Sequence, residues 1–171
     1  TGTCGVFGSV VATGRLLGLD EGQMVNALGI AGTQAAGVRE TFGSMSKPFH
    51  AGRSAQSGLL AGLLAARGFT STPTILEGRR GFAAVLSTAS DMGKVTDALG
   101  ERWELPNNGL KPYACGVVSH PLIDAMVTFR NTHGVKAEDV HAITAKVQPL
   151  VLELMDWKHP RIGLEGKFSH Q

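Results

Sequence analysis

The chain has 171 residues, a length for one domain or one and a half small ones, enough to bury a sizeable core. Sixteen Lys and Arg against fourteen Asp and Glu leave a net charge of +2, and the basic residues are scattered singly without interleaved aromatics, which argues against a nucleic-acid surface. Charged residues make up 18% and glycine reaches 23 positions, so tight backbone packing is expected, with part of the surface covered by a partner or by further chain.

Taken in order, the first half reads as packed helices. From Thr3 to Leu17, apolar residues recur near helical spacing, and Gly5, Gly8 and Ala12 would let another backbone come close. Gly18-Leu19 stops that helix and Asp20 is placed to cap the next, which runs from Gln23 to Ala36 with Met24, Ala27, Leu28, Ala31 and Ala35 on one stripe. A third helix is expected from about Arg53 to Ala66, with Leu59, Leu60, Leu63 and Leu64 as its apolar face. The longest apolar run, Leu59 to Ala66, is far short of a membrane span, and Thr1-Gly2-Thr3-Cys4 has neither the basic start nor the hydrophobic block of a signal peptide. Ser71-Thr72-Pro73-Thr74 is a loop and Asp91 to Leu99 a short helix ended by Gly100.

The texture then changes. Leu105-Pro106-Asn107-Asn108-Gly109 is a turn cluster, and Leu110 to Ala114 reads as a short extended piece. Pro121 suits the first turn of a helix reaching Thr132. His141 to Gln148 alternates with β-branched Ile143, Thr144 and Val147, so a strand is expected there, and Gly163 to Gln171 looks like the opening of a helix. The expected fold is a mainly α-helical domain, 1-104, followed by the start of a smaller α+β domain, 105-171. Cys4 and Cys115 match no metal or redox spacing and read as buried free thiols.

Two runs could carry chemistry. Gly43 to Arg53, GSMSKPFHAGR, sets Lys47, His50 and Arg53 three residues apart among small residues. Pro48 biases Lys47 toward extension, and a helix starting after Gly52 would offer free N–H groups to an anion. That makes a carboxylate or phosphate pocket, or else an ordinary solvated helix start; spacing does not decide. The second run, Lys111-Pro112-Tyr113-Ala114-Cys115-Gly116 with Ser119-His120-Pro121, repeats a lysine before a proline with a histidine near a helix start, and Ser119 is a candidate cap. In Glu77-Gly78-Arg79-Arg80-Gly81-Phe82 a local salt bridge is expected. Lys158-His159-Pro160-Arg161, His133 and His141 read as solvated. No phosphate-cradling glycine loop, dinucleotide fingerprint, zinc motif or nucleophile elbow is present.

Together GSMSKPFHAGRSAQSG, RGFTSTPTILEGRRGF and KPYACGVVSHPLIDA, with TGTCGVFG at the start and GLEGKFSHQ at the end, resemble the MmgE/PrpD family over nearly the whole chain. This family includes 2-methylcitrate dehydratase, cis-aconitate decarboxylase and iminodisuccinate epimerase. The resemblance implies a cytoplasmic enzyme without cofactor or metal, acting on a small polycarboxylate, built from a large helical domain and a smaller α+β lid domain, and forming a homodimer. It implies catalytic roles for Lys47 and Lys111 and substrate-binding roles for His50, Arg53 and His120. The decarboxylase branch carries a histidine five residues after the second lysine, where this chain has Gly116; that departure argues against decarboxylation and leaves dehydration, as of 2-methylcitrate in propionate metabolism, or epimerisation. The same proton-abstracting site would serve an epimerase or isomerase of a dicarboxylate such as iminodisuccinate. Family members also carry a His-Pro pair before the position of Thr1, a tyrosine after that of Gln171, and an Asp- and His-containing stretch far upstream. The chain is therefore expected to be the middle of an enzyme and to lack part of its active site. Taken alone it would be a non-catalytic fragment that binds or oligomerises.

Overall fold

A capping box at Asp20 sets the first helical turn-around. In the computed structural model, which describes residues 2–170, the Asp20 carboxylate accepts the Gln23 N–H at 2.8 Å and the Gln23 side chain accepts the Asp20 N–H at 3.1 Å. Such a cap contributes about 1 kcal/mol by satisfying helix-end donors. It separates α1 (Gly5–Leu17) from α2 (Glu21–Gly32). Before it, Gly18 ends α1 in the left-handed region at φ +67°, its N–H turned back to the α1 carbonyls.

The described residues divide into two units, the first holding those up to Glu40 together with Ser46–Glu104. Its core is Val6 and Val10 of α1, Ala27, Ile30 and Ala31 of α2, and Ala61 and Ala65 of α3 (Ser46–Ala66). Phe7, Leu19, Leu28, Ala35 and Leu64 pack against that cluster. The face α3 buries differs from the leucine face expected of it: Ser54, Ser57, Gly58, Ala61, Gly62 and Ala65 are buried, while Leu59 and Leu60 are about half exposed. The reason is close approach. A Cβ on Gly58 would lie 2.7 Å from the Val10 backbone nitrogen, and one on Gly62 would lie 2.7 Å from Thr13 Cγ2. Only residues this small admit α1, and Ser9 Oγ then reaches the Ala55 carbonyl at 3.0 Å. The glycine role expected for Gly8 and Ala12 of α1 thus falls to α3, since both are exposed.

Contacts advance together along the two helices. Gly2 meets Ser54, Ser9 meets Gly58 and Thr13 meets Gly62, so α1 and α3 run in the same direction. Gly14 against Met24 and Phe7 against Gly32 show that α2 runs opposite to α1.

Helix α3 begins at Ser46, seven residues before the expected start, and Lys47 is helical, not extended. Pro48 falls in the first turn, where an N–H would have no intrahelical acceptor, so its missing donor costs nothing there. The α4 turn (Phe82–Leu86) follows the loop after α3. Helix α5 is only Gly93–Thr96, shorter than the Asp91 to Leu99 expected, because Ala98 and Gly100 both take positive φ, +51° and +87°.

The second unit holds Thr41–Met45 and the residues from Leu105 on. It contains α6 (His120–His133), α7 (Pro149–Leu154) and α8 (Gly163–Gly166). Pro121 occupies the first turn of α6 and Gly134 ends it at φ +64°. Trp157 Nε1 donates to the Phe42 carbonyl at 2.9 Å, its indole lies against Gly43, and the Phe42 and Phe168 rings stack at 4.7 Å. The expected strand from His141 to Gln148 is not formed: alternation supplies a strand's side chains but not a neighbour's backbone, and among the described residues nothing pairs with it. An isolated antiparallel bridge joins Asp156 to Ser169. Lys111 to Cys115 is bent, not extended. The chain is mainly α-helical, and no helix among the described residues is long and apolar enough to cross a membrane. Cys4 and Cys115 are free thiols, but Cys4 is exposed and Cys115 half-buried. The flanking positions at Thr1 and Gln171 lie outside the described residues.

Candidate active site

The first group of residues stands on the early turns of α3. At about 100° per residue, Ser54 returns to within about 20° of Lys47 around the helix axis, and Gly58 does the same on the other side. Lys47 therefore lies on the stripe of α3 that packs against α1, one turn and more beyond the packed part, and is exposed. His50 lies about 60° to one side of Lys47 and is half-buried, its imidazole beside Gly37. Its carbonyl accepts the Ser54 hydroxyl at 2.9 Å. Arg53 sits about 120° from Lys47, off that stripe, and Nη1 donates to Gln56 Oε1 at 2.8 Å. So Lys47 and His50 share a face and Arg53 does not join them. Because α1 and α3 run in parallel, their N-terminal ends point the same way, where the partial positive charge of unpaired N–H groups favours anions. An ammonium at that end adds to the same field.

The second group belongs to the other unit. The bend after Lys111 carries its ammonium back to the Cys115 carbonyl, which accepts from Nζ at 3.2 Å. Gly116 N–H donates to the Lys167 carbonyl at 2.9 Å, tying the bend to the segment after α8. His120 opens α6 and is 8% exposed, with Nε2 enclosed and lacking a hydrogen-bond partner. Its ring meets the edge of Tyr113 at a centroid distance of 5.4 Å and 80°. Ser119 makes no side-chain cap, contrary to expectation; its hydroxyl pairs with His170 Nε2 at 3.4 Å instead.

Tyr113 and Asp124 received no role from sequence reasoning. The Tyr113 hydroxyl donates to Asp124 Oδ1 at 2.5 Å. That hydrogen bond, helped by burial and by the carboxylate's charge, raises the phenol above its ordinary value. The signal was present: Asp124 follows His120 by four residues, one helical turn, so both reach back to the Lys-Pro-Tyr bend from one face of α6. Chemically, the bend offers an ammonium in Lys111, held at the Cys115 carbonyl, and beside it in sequence a group formed by Tyr113, His120 and Asp124. Among the described residues no three His, Cys, Asp or Glu side chains converge as metal ligands.

Lys47, His50, Arg53, Tyr113, His120 and Asp124 lie in sequence that matches known protein families, whereas Lys111 falls between the two matched stretches. The MmgE/PrpD N-terminal domain matches residues 1–94 and the MmgE/PrpD C-terminal domain matches residues 113–171. Cis-aconitate decarboxylase of Aspergillus terreus is 36% identical over 135 residues, which are 72% of this chain and 28% of that protein. A cis-aconitate decarboxylase-like protein, oryM, of Aspergillus oryzae is 31% identical over 132 residues, 71% of this chain and 27% of that protein. The matched stretch thus spans little more than a quarter of either relative's length. With both of its domains matched in order, the chain belongs to the MmgE/PrpD family.

Proposed function

We propose that the chain is part of a lyase that removes a proton next to a carboxylate and expels water from a small tricarboxylate such as 2-methylcitrate, with Lys47 and Lys111 as carboxylate-binding groups. The observation that carries this is the placement of Lys47, exposed on the first turn of α3 at the end where the N-termini of α1 and α3 point together. A substrate carboxylate there gains a charge-assisted hydrogen bond and the field of the α3 N-terminus. Lys111 holds a second carboxylate; its present acceptor is a neutral carbonyl, which a carboxylate displaces at little cost. With both carboxylates fixed, a base takes the proton from the C–H beside one of them, and the C–H electrons form the new C=C bond. The hydroxyl on the neighbouring carbon leaves as water on receiving a proton, so that the net loss is H2O. The ammonium groups stabilise the charge that builds on the carboxylate as the proton departs. His50 lines the same face as Lys47, and Arg53 and His120 act at the margins of the site.

Dehydration is favoured over decarboxylation by Gly116. The decarboxylase branch carries a histidine at that position, and this chain has none there. The domain assignment, 1-104 helical and 105-171 lid, is supported by the spacing of the two matched family domains. A cytoplasmic homo-oligomer completes the reading, with sedimentation of the full-length protein as its check.

The test is turnover by the full-length protein of 2-methylcitrate, cis-aconitate and iminodisuccinate, following alkene formation, CO2 release and loss of optical activity. Alkene and water from 2-methylcitrate, with kcat/KM lowered about 100-fold or more in Lys47→Ala and Lys111→Ala, is the expected result. Undiminished turnover in both variants overturns the site. CO2 release from cis-aconitate, or racemisation without water loss, overturns the reaction.

A further inference from the structure

The loop between α3 and α4 forms an open surface pocket, its polar residues exposed, that the reading above does not use. It measures about 370 Å³ and is lined by Thr72, Thr74, Arg79 and Arg80 with Ile75, Gly78 and Gly81. That volume lies at the lower end for small-molecule sites. The salt bridge expected between Glu77 and the arginines is not made. Among the described residues neither guanidinium has a carboxylate or hydrogen-bond partner, and Glu77 has none either. Two adjacent arginines are thus left to face one pocket with their forks uncommitted.

The hydroxyls add to this. Thr72 Oγ1 and Thr74 Oγ1 lie 3.2 Å apart. One O–H between them uses one proton, and the other hydroxyl keeps its proton to donate elsewhere.

The walls are held rigidly. Ser71 N–H donates to Asn26 Oδ1 of α2 at 2.8 Å, and Gly29 of α2 leaves room for Ser71 and Thr72. At the far end Phe82 N–H donates to the Ile75 carbonyl at 2.7 Å, Ala83 N–H to the Leu76 carbonyl at 3.1 Å, and the Phe82 ring meets Phe7 edge-on at 4.9 Å. A loop backbone pinned at both ends confines the ordering cost of binding to the arginine and threonine side chains.

We propose that Thr72, Thr74, Arg79 and Arg80 form a binding site for a small, multiply charged oxyanion of phosphate or polycarboxylate chemistry. Planar guanidinium forks match both groups, each taking two oxygens at once, and the threonine hydroxyl supplies a further donor. Lys47 and His50 do not line this pocket, so the site stands independently of the lyase reading.

The experiment is a titration of the 171-residue chain with inorganic phosphate and with citrate at fixed ionic strength, chloride serving as the control, read by NMR shifts of the Thr72, Thr74 and Gly81 amides and the arginine side chains. Saturable shifts with either probe, weakened about tenfold or more in R79Q/R80Q and retained in K47A, are expected. In R79K/R80K, which keeps the charge but loses the fork, binding weakens as well. Saturation by phosphate alone assigns a phosphate-bearing ligand, and saturation by citrate alone a polycarboxylate. Responses no larger than those to chloride, or saturation unchanged in R79Q/R80Q with the thermal melt also unchanged, overturn the proposal.

Discussion

Two glycines of α3, Gly52 and Gly58, should respond to alanine in opposite directions. Gly52 has open space around its missing Cβ and lies on the solvent side of the helix. Gly52→Ala therefore adds the helix-propensity gain alone, about 0.5–1 kcal/mol. At Gly58 the same gain meets the α1 crossing. The new Cβ would sit 2.7 Å from the Val10 backbone nitrogen and closer still to the Ser9 side chain. Backbone cannot swing aside as a flexible side chain does, so α1 must retreat, an overpacking cost of about 1–3 kcal/mol. Retreat also strains the Ser9 hydrogen bond to Ala55, 3.0 Å long, worth about 1 kcal/mol. Set against the propensity gain of about 1 kcal/mol, Gly58→Ala is net destabilising by about 1–3 kcal/mol. Urea denaturation followed by far-ultraviolet circular dichroism separates the two. With a slope of about 2 kcal/mol/M, the Gly58→Ala midpoint falls by about 0.5–1.5 M and the Gly52→Ala midpoint rises by about 0.3–0.5 M. A rise in both would mean that α1 does not cross α3 at Gly58, and the parallel arrangement that orients the Lys47 end would fall with it.

Gly43→Ala should destabilise the second unit by about 2 kcal/mol or more, because φ is +84° and a Cβ would enter the Trp157 indole; a red-shifted tryptophan emission at lower urea than in the parent checks it. Tyr113 is the single tyrosine, so a phenolate absorbance titration reports on it alone. Its midpoint should lie above 10.0 and fall back toward that value in Asp124→Ala. The sign for stability follows: the folded form holds the phenol proton more tightly, so the contribution is complete below the unfolded pKa and is lost as pH rises toward the folded one. Of the two thiols, exposed Cys4 should react with a disulfide reagent faster than half-buried Cys115, and Cys4→Ser should remove the fast phase.

The sequence by itself determined the helices whose ends are written in local chemistry. The Asp20 box, the Gly18 and Gly134 stops and the Pro121 first turn involve neighbours within a few residues, so each could be read directly. It also determined the family, since three separated motifs in order are carried by residue identity alone. Tertiary structure decided what each face meets. Leucines at 59 and 60 look like a core face, yet the core takes the small residues because α1 approaches too closely for anything larger. Pro48 predicts an extended Lys47, whereas α3 draws it into the first turn, where that proline costs little. The alternating run from His141 to Gln148 has a strand's side chains, but pairing belongs to a second backbone that the pattern does not contain. Tyr113, His120 and Asp124 likewise become one group only when the bend after Lys111 folds back onto α6. Spacing along the chain records contacts within one helical turn; contacts between elements depend on how closely their backbones approach, and only the packed structure fixes that distance.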